Sequence, residues 1–166
     1  MKKLENKITI ITGGADGIGK AAVKRFAEEG ASVVIWDMNE PKGIETRDLL
    51  VTEGLMVDFM KVNTSDFVAV EAAAKNVFEK YGQIHILVNN AGITRDSTLK
   101  KMTVEQWQSV IDVNLTGVFN CTKCVSEYMV GQNYGRIINI SSVVALYGNF
   151  GQTNYVATKA AVIGMT

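Results

Sequence analysis

Ile8-Thr-Ile-Ile-Thr-Gly-Gly-Ala-Asp-Gly-Ile-Gly19 decides the architecture. A short β-branched run enters a glycine cluster directly, and a helical pattern leaves it at once. Ile8 to Ile11 reads as a strand buried on both faces, as expected in the middle of a parallel sheet. Beyond the turn, Ile18, Ala22, Phe26 and Ala27 fall on one helical face, and Gly30 stands where a left-handed cap would end the helix. Val33-Val-Ile35 then supplies a second strand.

The same rhythm continues outward. Asn39 caps a second helix with Pro41 in its first turn, and that helix stops before Gly54. Leu55 to Val62 is a third strand. Ser65 or Asp66 caps the next helix, whose apolar stripe is Val70, Ala73, Ala74 and Val77 and which ends before Gly82. Ile84 to Val88 is a fourth strand. After a loop from Asn89 to Lys101, Thr103-Val-Glu-Gln106 reads as a capping box opening one long helix toward Gly131. Ile137 to Ile140 is a fifth strand, and a last helix starts near Thr153 and still runs at Thr166. Alternating strands and helices predict an α/β fold with a doubly wound parallel sheet.

The chain of 166 residues fits one domain, 1–166, and 47% apolar residues suffice for a core. Seventeen basic residues balance seventeen acidic ones, with no basic run, so no nucleic-acid or membrane partner is expected. The first residues are charged and the apolar run after them is too short for a signal peptide or a span, which predicts a cytoplasmic protein. Two cysteines make no disulfide framework. Cys121-Thr-Lys-Cys124 matches C-x-x-C but lies in a helical pattern beside no second pair, so no metal site is expected. His85 and Trp107 read as structural, and Trp36 packs next to the expected adenosine site.

Because the glycine turn joins a strand to a helix, its N–H groups and the helix dipole converge where a pyrophosphate would sit. Gly13 permits the tight turn, Gly17 lets backbone approach phosphate, and Gly19 lets helix pack on strand. The spacing is T-G-x-x-x-G-x-G. Asp37 ends the second strand about 20 residues on, where a carboxylate can accept from both ribose hydroxyls of an adenosine. Capping of the second helix is the alternative role for Asp37. Asp16 and Asp37 would both repel a 2′-phosphate, so NAD(H) is expected, with NADP(H) possible.

Tyr155-Val-Ala-Thr-Lys159 sets a phenol and an ammonium on one helical face, about 6 Å apart in rise. A free phenol has a pKa of about 10, and a nearby cation stabilises its phenolate. Ser142 follows the fifth strand at the carboxyl edge of the sheet, with Ser141 as a neighbour easily mistaken for it. Asn89-Asn-Ala-Gly92 ends the fourth strand at that edge, and Asn114 sits in mid-helix, where Asn needs a reason.

Together, Thr12-Gly-x-x-x-Gly-x-Gly19, Asn89-Asn-Ala-Gly92, Asn114, Ser142 and Tyr155-x-x-x-Lys159 strongly resemble the short-chain dehydrogenase/reductase family across nearly the whole chain. The resemblance implies a Rossmann fold and a hydride transfer between NAD(P)H and a carbonyl or alcohol. It makes Tyr155 the general acid, Ser142 the group that orients the carbonyl, Lys159 the ribose ligand that favours the phenolate, and Asn114 the holder of a relay water. Gly13, Asp16, Gly17, Ile18, Gly19, Asp37, Asn63, Thr64, Asn90, Ala91 and Gly92 become the remaining cofactor contacts. Asn90-Ala-Gly-Ile-Thr-Arg-Asp96, Gly135-Arg-Ile-Ile138 and Gly148-Asn-Phe-Gly-Gln152 look like 3-oxoacyl-(acyl-carrier-protein) reductases and acetoacetyl-CoA reductases. A 3-oxoacyl thioester or another small secondary alcohol or ketone is then the expected substrate, and a dimer or tetramer the expected assembly. Family members continue into two more strands and a substrate lid. The chain is therefore expected to be a C-terminally truncated piece with Ile137–Ile140 at a sheet edge, active or a noncatalytic dinucleotide-binding fragment.

Overall fold

The computed structural model describes residues 2–166. Its five strands are β1 (Ile8–Thr12), β2 (Ser32–Asp37), β3 (Val57–Lys61), β4 (Ile86–Asn89) and β5 (Arg136–Asn139), all parallel in the order β3-β2-β1-β4-β5. The chain walks outward from β1 through β3, then returns to lay β4 on the other side of β1. The strand order thus reverses between β1 and β4, which opens a crevice at their carboxyl ends. The doubly wound sheet is as the sequence predicts, and β5 forms one edge among the described residues.

Alternation along the strands divides the core in two. Ile10, Val34, Trp36 and Leu87 face α3 (Phe67–Tyr81) and α5 (Gly117–Gly131), meeting the predicted stripe Val70, Ala73, Ala74 and Val77. Ile11, Val33, Ile35, Ile86 and Val88 face α1 (Gly17–Glu28) and α2 (Glu40–Thr52). Cys121 and Cys124 lie buried in the first of these layers, and burial pushes the Cys121 thiol up to about 12, away from a reactive thiolate. Trp36 is wholly buried. The caps fall where the side chains demand them: Asn39 accepts from Lys42 N, Asp66 from Ala69 N, and Thr103 and Gln106 form the reciprocal box.

Three elements depart from the sequence reading. The predicted stripe of α1 holds at Ala22, Phe26 and Ala27, which pack on the core together with Val23, whereas Ile18 is 77% exposed and Gly19 is buried in its place. Gly19 takes the inward position of the first turn because a Cβ there would lie 1.9 Å from the Gly13 carbonyl oxygen. The expected long helix from Thr103 to Gly131 runs unbroken from Val104 to Gly131, but a π turn over Asp112–Thr116 divides it into α4 (Val104–Ile111) and α5. A π turn inside a helix redirects the residues beyond it; here Gly117 seats so close to the β3–α3 loop that a Cβ would stand 2.7 Å from Thr64 Oγ1. Finally, a four-residue helix α6 (Val144–Tyr147), too short to show periodicity, precedes α7 (Thr153–Met165). No helix among the described residues is long and apolar enough to cross a membrane.

His85 is structural, as expected. Its Nδ1 accepts from Ile8 N at 2.9 Å, and its ring meets Tyr134 edge-on. Burial first, then Lys7, holds its pKa below the ordinary 6.5. The folded state therefore prefers neutral His85, while the unfolded chain takes up a proton below about 6.5. Stability from this residue is complete above that pH and is lost as pH falls toward the depressed folded value. His85→Leu leaves Ile8 N without its partner and should cost about 1–3 kcal/mol at neutral pH. Urea denaturation at pH 7.5 and 5.5 checks both points: the variant should lose less stability on acidification than the wild type.

Candidate cofactor cleft and active site

The crevice between β1 and β4 is a cavity of about 550 Å³. Its walls bring together Gly13, Asp16, Ile18 and Gly19 from the first turn, Asp37 from β2, and Asn63 and Thr64 after β3. Asn90, Ala91 and Gly92 form the opposite wall, and Tyr155 and Lys159 lie at the far end. Three predicted residues do not line it: Gly17, Asn114 and Ser142. The sequence reading missed Met38, Val62, Ile93, Thr94, Val113 and Ile140, apolar or small wall residues with no chemical signal of their own.

The floor is pinned by side chains. Thr12 Oγ1 accepts from Asn90 N at 3.0 Å and Ala91 N at 2.9 Å, and Asn90 Nδ2 donates to the carbonyls of Thr12 and Gly13 at 3.0 and 3.1 Å. Gly13 takes a left-handed φ of 65°, and a Cβ there would be 2.9 Å from Ala91 Cα. The predicted role of Gly19 is corrected: it keeps the helix clear of the turn itself and of Asn90, rather than of the strand. Gly17 also has positive φ, 55°, with open space around it. The N–H groups of Ile18 and Gly19 find no acceptor among the described residues, as expected of a first helical turn that awaits an anion. This donor set and glycine cradle fit a pyrophosphate.

Asp37 has two backbone duties. Its Oδ2 accepts from Ala15 N at 3.1 Å and its Oδ1 from Asn39 N at 2.9 Å. It therefore braces both the glycine turn and the start of α2, while Asn39 is the cap. Each oxygen keeps a second lone pair for a ligand hydroxyl. Asp16 caps α1, accepting from Gly17 N at 2.8 Å, and ion-pairs with Lys42 Nζ. That hydrogen bond holds its carboxyl below the ordinary 3.8. The second negative charge that Asp16 brings to the turn is thus paired with Lys42, and Asp37 is left as the carboxylate without a lysine partner.

At the far end, Lys159 Nζ donates to Ile140 O at 2.6 Å and lies 5.7 Å from the Tyr155 ring centroid. Lys159 is only 4% exposed, and burial holds its ammonium below the ordinary 10.5. Ser141 and Ser142 separate cleanly. Ser141 Oγ donates to Lys159 O at 2.8 Å and so anchors the α7 backbone, whereas Ser142 Oγ accepts a long 3.4 Å bond from Val144 N and donates to no described protein group. Asn114, wholly buried in the π turn, exchanges hydrogen bonds with both backbone groups of Ile93 at 2.8 and 2.9 Å and reaches Thr158 Oγ1 at 3.4 Å. Its side-chain amide thus ties the loop after β4 to the π turn and to α7. Asn154, which the sequence reading passed over, is wholly buried and donates to Arg95 O and Gln106 O, tying the start of α7 to the loop after β4 and to α4.

A dinucleotide-type cleft that ends on a tyrosine and a buried lysine defines an α/β oxidoreductase-like site. The family model described as short chain dehydrogenase matches residues 7–166, and the chain belongs to that family. Membership implies a nicotinamide dinucleotide, NAD(P), as cofactor. The 3-oxoacyl-(acyl-carrier-protein) reductase FabG of Thermotoga maritima is 51% identical over 99% of this chain and 67% of the relative. The protein of that name from Chlamydia muridarum is 46% identical over 98% of the chain and 66% of its own length. The crystal structure of gox2181 superposes with a TM-score of 0.95 at 35% identity, covering 98% of this chain and 64% of that one. The chain thus spans about two thirds of the length of these relatives.

Gly19→Ala tests the cradle. Its methyl would overlap the Gly13 carbonyl oxygen and Asn90 Nδ2, so helix and turn must separate, at a cost of about 1–3 kcal/mol. Chemical denaturation should show that loss, and a stability equal to wild type would contradict the packing described.

Proposed function

We propose that the chain carries the cofactor and catalytic machinery of an NADH-dependent 3-oxoacyl thioester reductase. The observation that carries this is the continuity of one cavity from Asp37, at its adenosine end, to Tyr155 and Lys159. The names of the relatives supply the substrate class. NADH is preferred over NADPH because Asp37 keeps lone pairs for ribose hydroxyls and would repel a 2′-phosphate.

In this reading the N–H groups of Ile18 and Gly19 hold the pyrophosphate, Gly17 gives it room, and Asn63, Thr64 and Asn90 to Gly92 border the adenosine and its linker. The dinucleotide supplies the hydride that adds to the carbonyl carbon. Tyr155 gives its hydroxyl proton to the carbonyl oxygen, and Ser142, whose hydroxyl hydrogen is uncommitted within the protein, orients that oxygen. Lys159 stabilises the phenolate left behind and binds the nicotinamide ribose with the donors that Ile140 does not take. Asn114 and Ser141 are positioning residues, holding the loop after β4 and the backbone of α7.

The balanced charge and two buried thiols support a cytoplasmic setting. Exposed Val104, Trp107 and Phe119 on α4 and α5 support a homo-oligomer, dimer or tetramer, through those helices. Neither nucleic acid nor membrane is a partner in this reading.

Tyr155→Phe in the protein expressed from its own gene should lower reduction of a 3-oxoacyl thioester by about 10²–10⁴-fold, the usual contribution of a general acid. NADH should still bind, as read from the quenching or enhancement of its fluorescence. Full turnover in the variant would overturn the assignment of Tyr155.

A further inference from the structure

At the adenosine rim stands a cation with no part in the chemistry above. Lys42, in the first turn of α2, ion-pairs with Asp16, and both Asp16 and Asp37 line the cavity. The backbone donors of that helical turn are already spent: Glu40 N on Met38 O, Lys42 N on Asn39 Oδ1 and Gly43 N on Asn39 O, while Pro41 has none. The helix end therefore offers a phosphate no free N–H. Two of the other basic side chains nearby are engaged, Lys61 with Glu40 at 3.1 Å and Arg47 with Asp48 at 2.7 Å, while Lys20 on α1 is in no ion pair and exerts a weaker pull on Asp16 than Lys42 does.

We propose that Asp16 and Lys42 form a specificity switch, in which Asp16 neutralises the cation bound to it at the adenosine rim and so excludes 2′-phosphorylated dinucleotides. The inference rests on the NADH reading above and locates its cause in a pair rather than in Asp37 alone. A 2′-phosphate entering this rim faces the carboxylates of Asp37 and Asp16, and to reach Lys42 it must first displace Asp16 from it. With Asp16 uncharged, Lys42 becomes a free point charge on a flexible stem, suited to a phosphate oxygen. Asp37 remains in place, so such a variant accepts both cofactors rather than reversing the preference.

Asp16→Asn is the direct test, because asparagine keeps the N-cap of α1 while losing the charge. Asp16→Ser, also a competent cap, repeats it if the first variant folds poorly. NADH and NADPH are titrated by fluorescence, with 2′,5′-ADP as a competitor that isolates the adenosine end. Relative to wild type, the preference for NADH over NADPH should fall about tenfold, 2′,5′-ADP should compete more strongly, and added salt should weaken the gain. Adding Lys42→Met should abolish it. A gain that survives Lys42→Met shows that Asp16 acts by repulsion alone and overturns the role of Lys42. No gain in Asp16→Asn, with NADH still bound by the wild type, overturns the switch and leaves the NADH reading intact. Failure of the wild type to bind either dinucleotide overturns the reading on which the switch rests.

Discussion

The buried hydroxyl of Thr12 holds the cleft together. At the carboxyl ends of β1 and β4 the ladder between neighbouring strands stops, and backbone groups there need other partners. Thr12 Oγ1 takes two N–H groups from the start of the loop after β4, and Asn90 returns two bonds to the end of β1. The glycine turn and the opposite wall therefore move as one body. The connection continues from that loop through Ile93 to Asn114, from Asn114 to Thr158, and from Thr158 Oγ1 to Tyr155 O at 2.8 Å. A continuous set of polar contacts, longest at the 3.4 Å link from Asn114 to Thr158, thus ties the backbone at Tyr155 to the glycine turn.

Electrostatics divide the same cleft into two regimes. At the adenosine rim Asp16 and Lys42 are exposed and paired, so their influence on stability is small and salt-sensitive. Their influence on ligand choice is larger, because a 2′-phosphate brings close to two negative charges to the same few ångströms. At the Tyr155 end the cation is buried, where an ammonium interacts more strongly with anything nearby. In the proposed reading one end selects and the other reacts, and the division follows from burial rather than from residue type.

Much of this was legible in the sequence because the signals were local. β-branched runs ending in glycine, side-chain caps such as Asn39, Asp66 and Thr103, and the Tyr155-x-x-x-Lys159 spacing each report a backbone geometry within a few residues. What stayed hidden depended on contacts distant in sequence. Gly19 rather than Ile18 faces inward because it seats against the Asn90 side chain from the loop after β4, and the π turn at Asp112–Thr116 belongs with Asn114 bonding to Ile93, 21 residues away. The pairing of Asp16 with Lys42 joins residues 26 apart, which is why two aspartates looked alike when only one has a lysine to neutralise it. Wall residues such as Val62 and Val113 carry no chemical pattern, so only packing reveals them.

Lys159 shows why an uncomfortable arrangement marks a working site. Burying an ammonium is unfavourable unless its donors are satisfied, and a fold selected for stability alone would place an apolar side chain here. Within the protein the Nζ has one hydrogen-bond acceptor, Ile140 O, out of three possible bonds, with the Tyr155 ring 5.7 Å away. The surrounding structure nevertheless anchors it: Ser141 Oγ donates to its backbone carbonyl, and the Nζ itself donates to Ile140 O. Two donors are thus kept rigid and uncommitted beside a phenol at the end of a cleft that fits a dinucleotide. Such restraint around an under-satisfied cation is what preorganisation for a ligand and a developing phenolate requires.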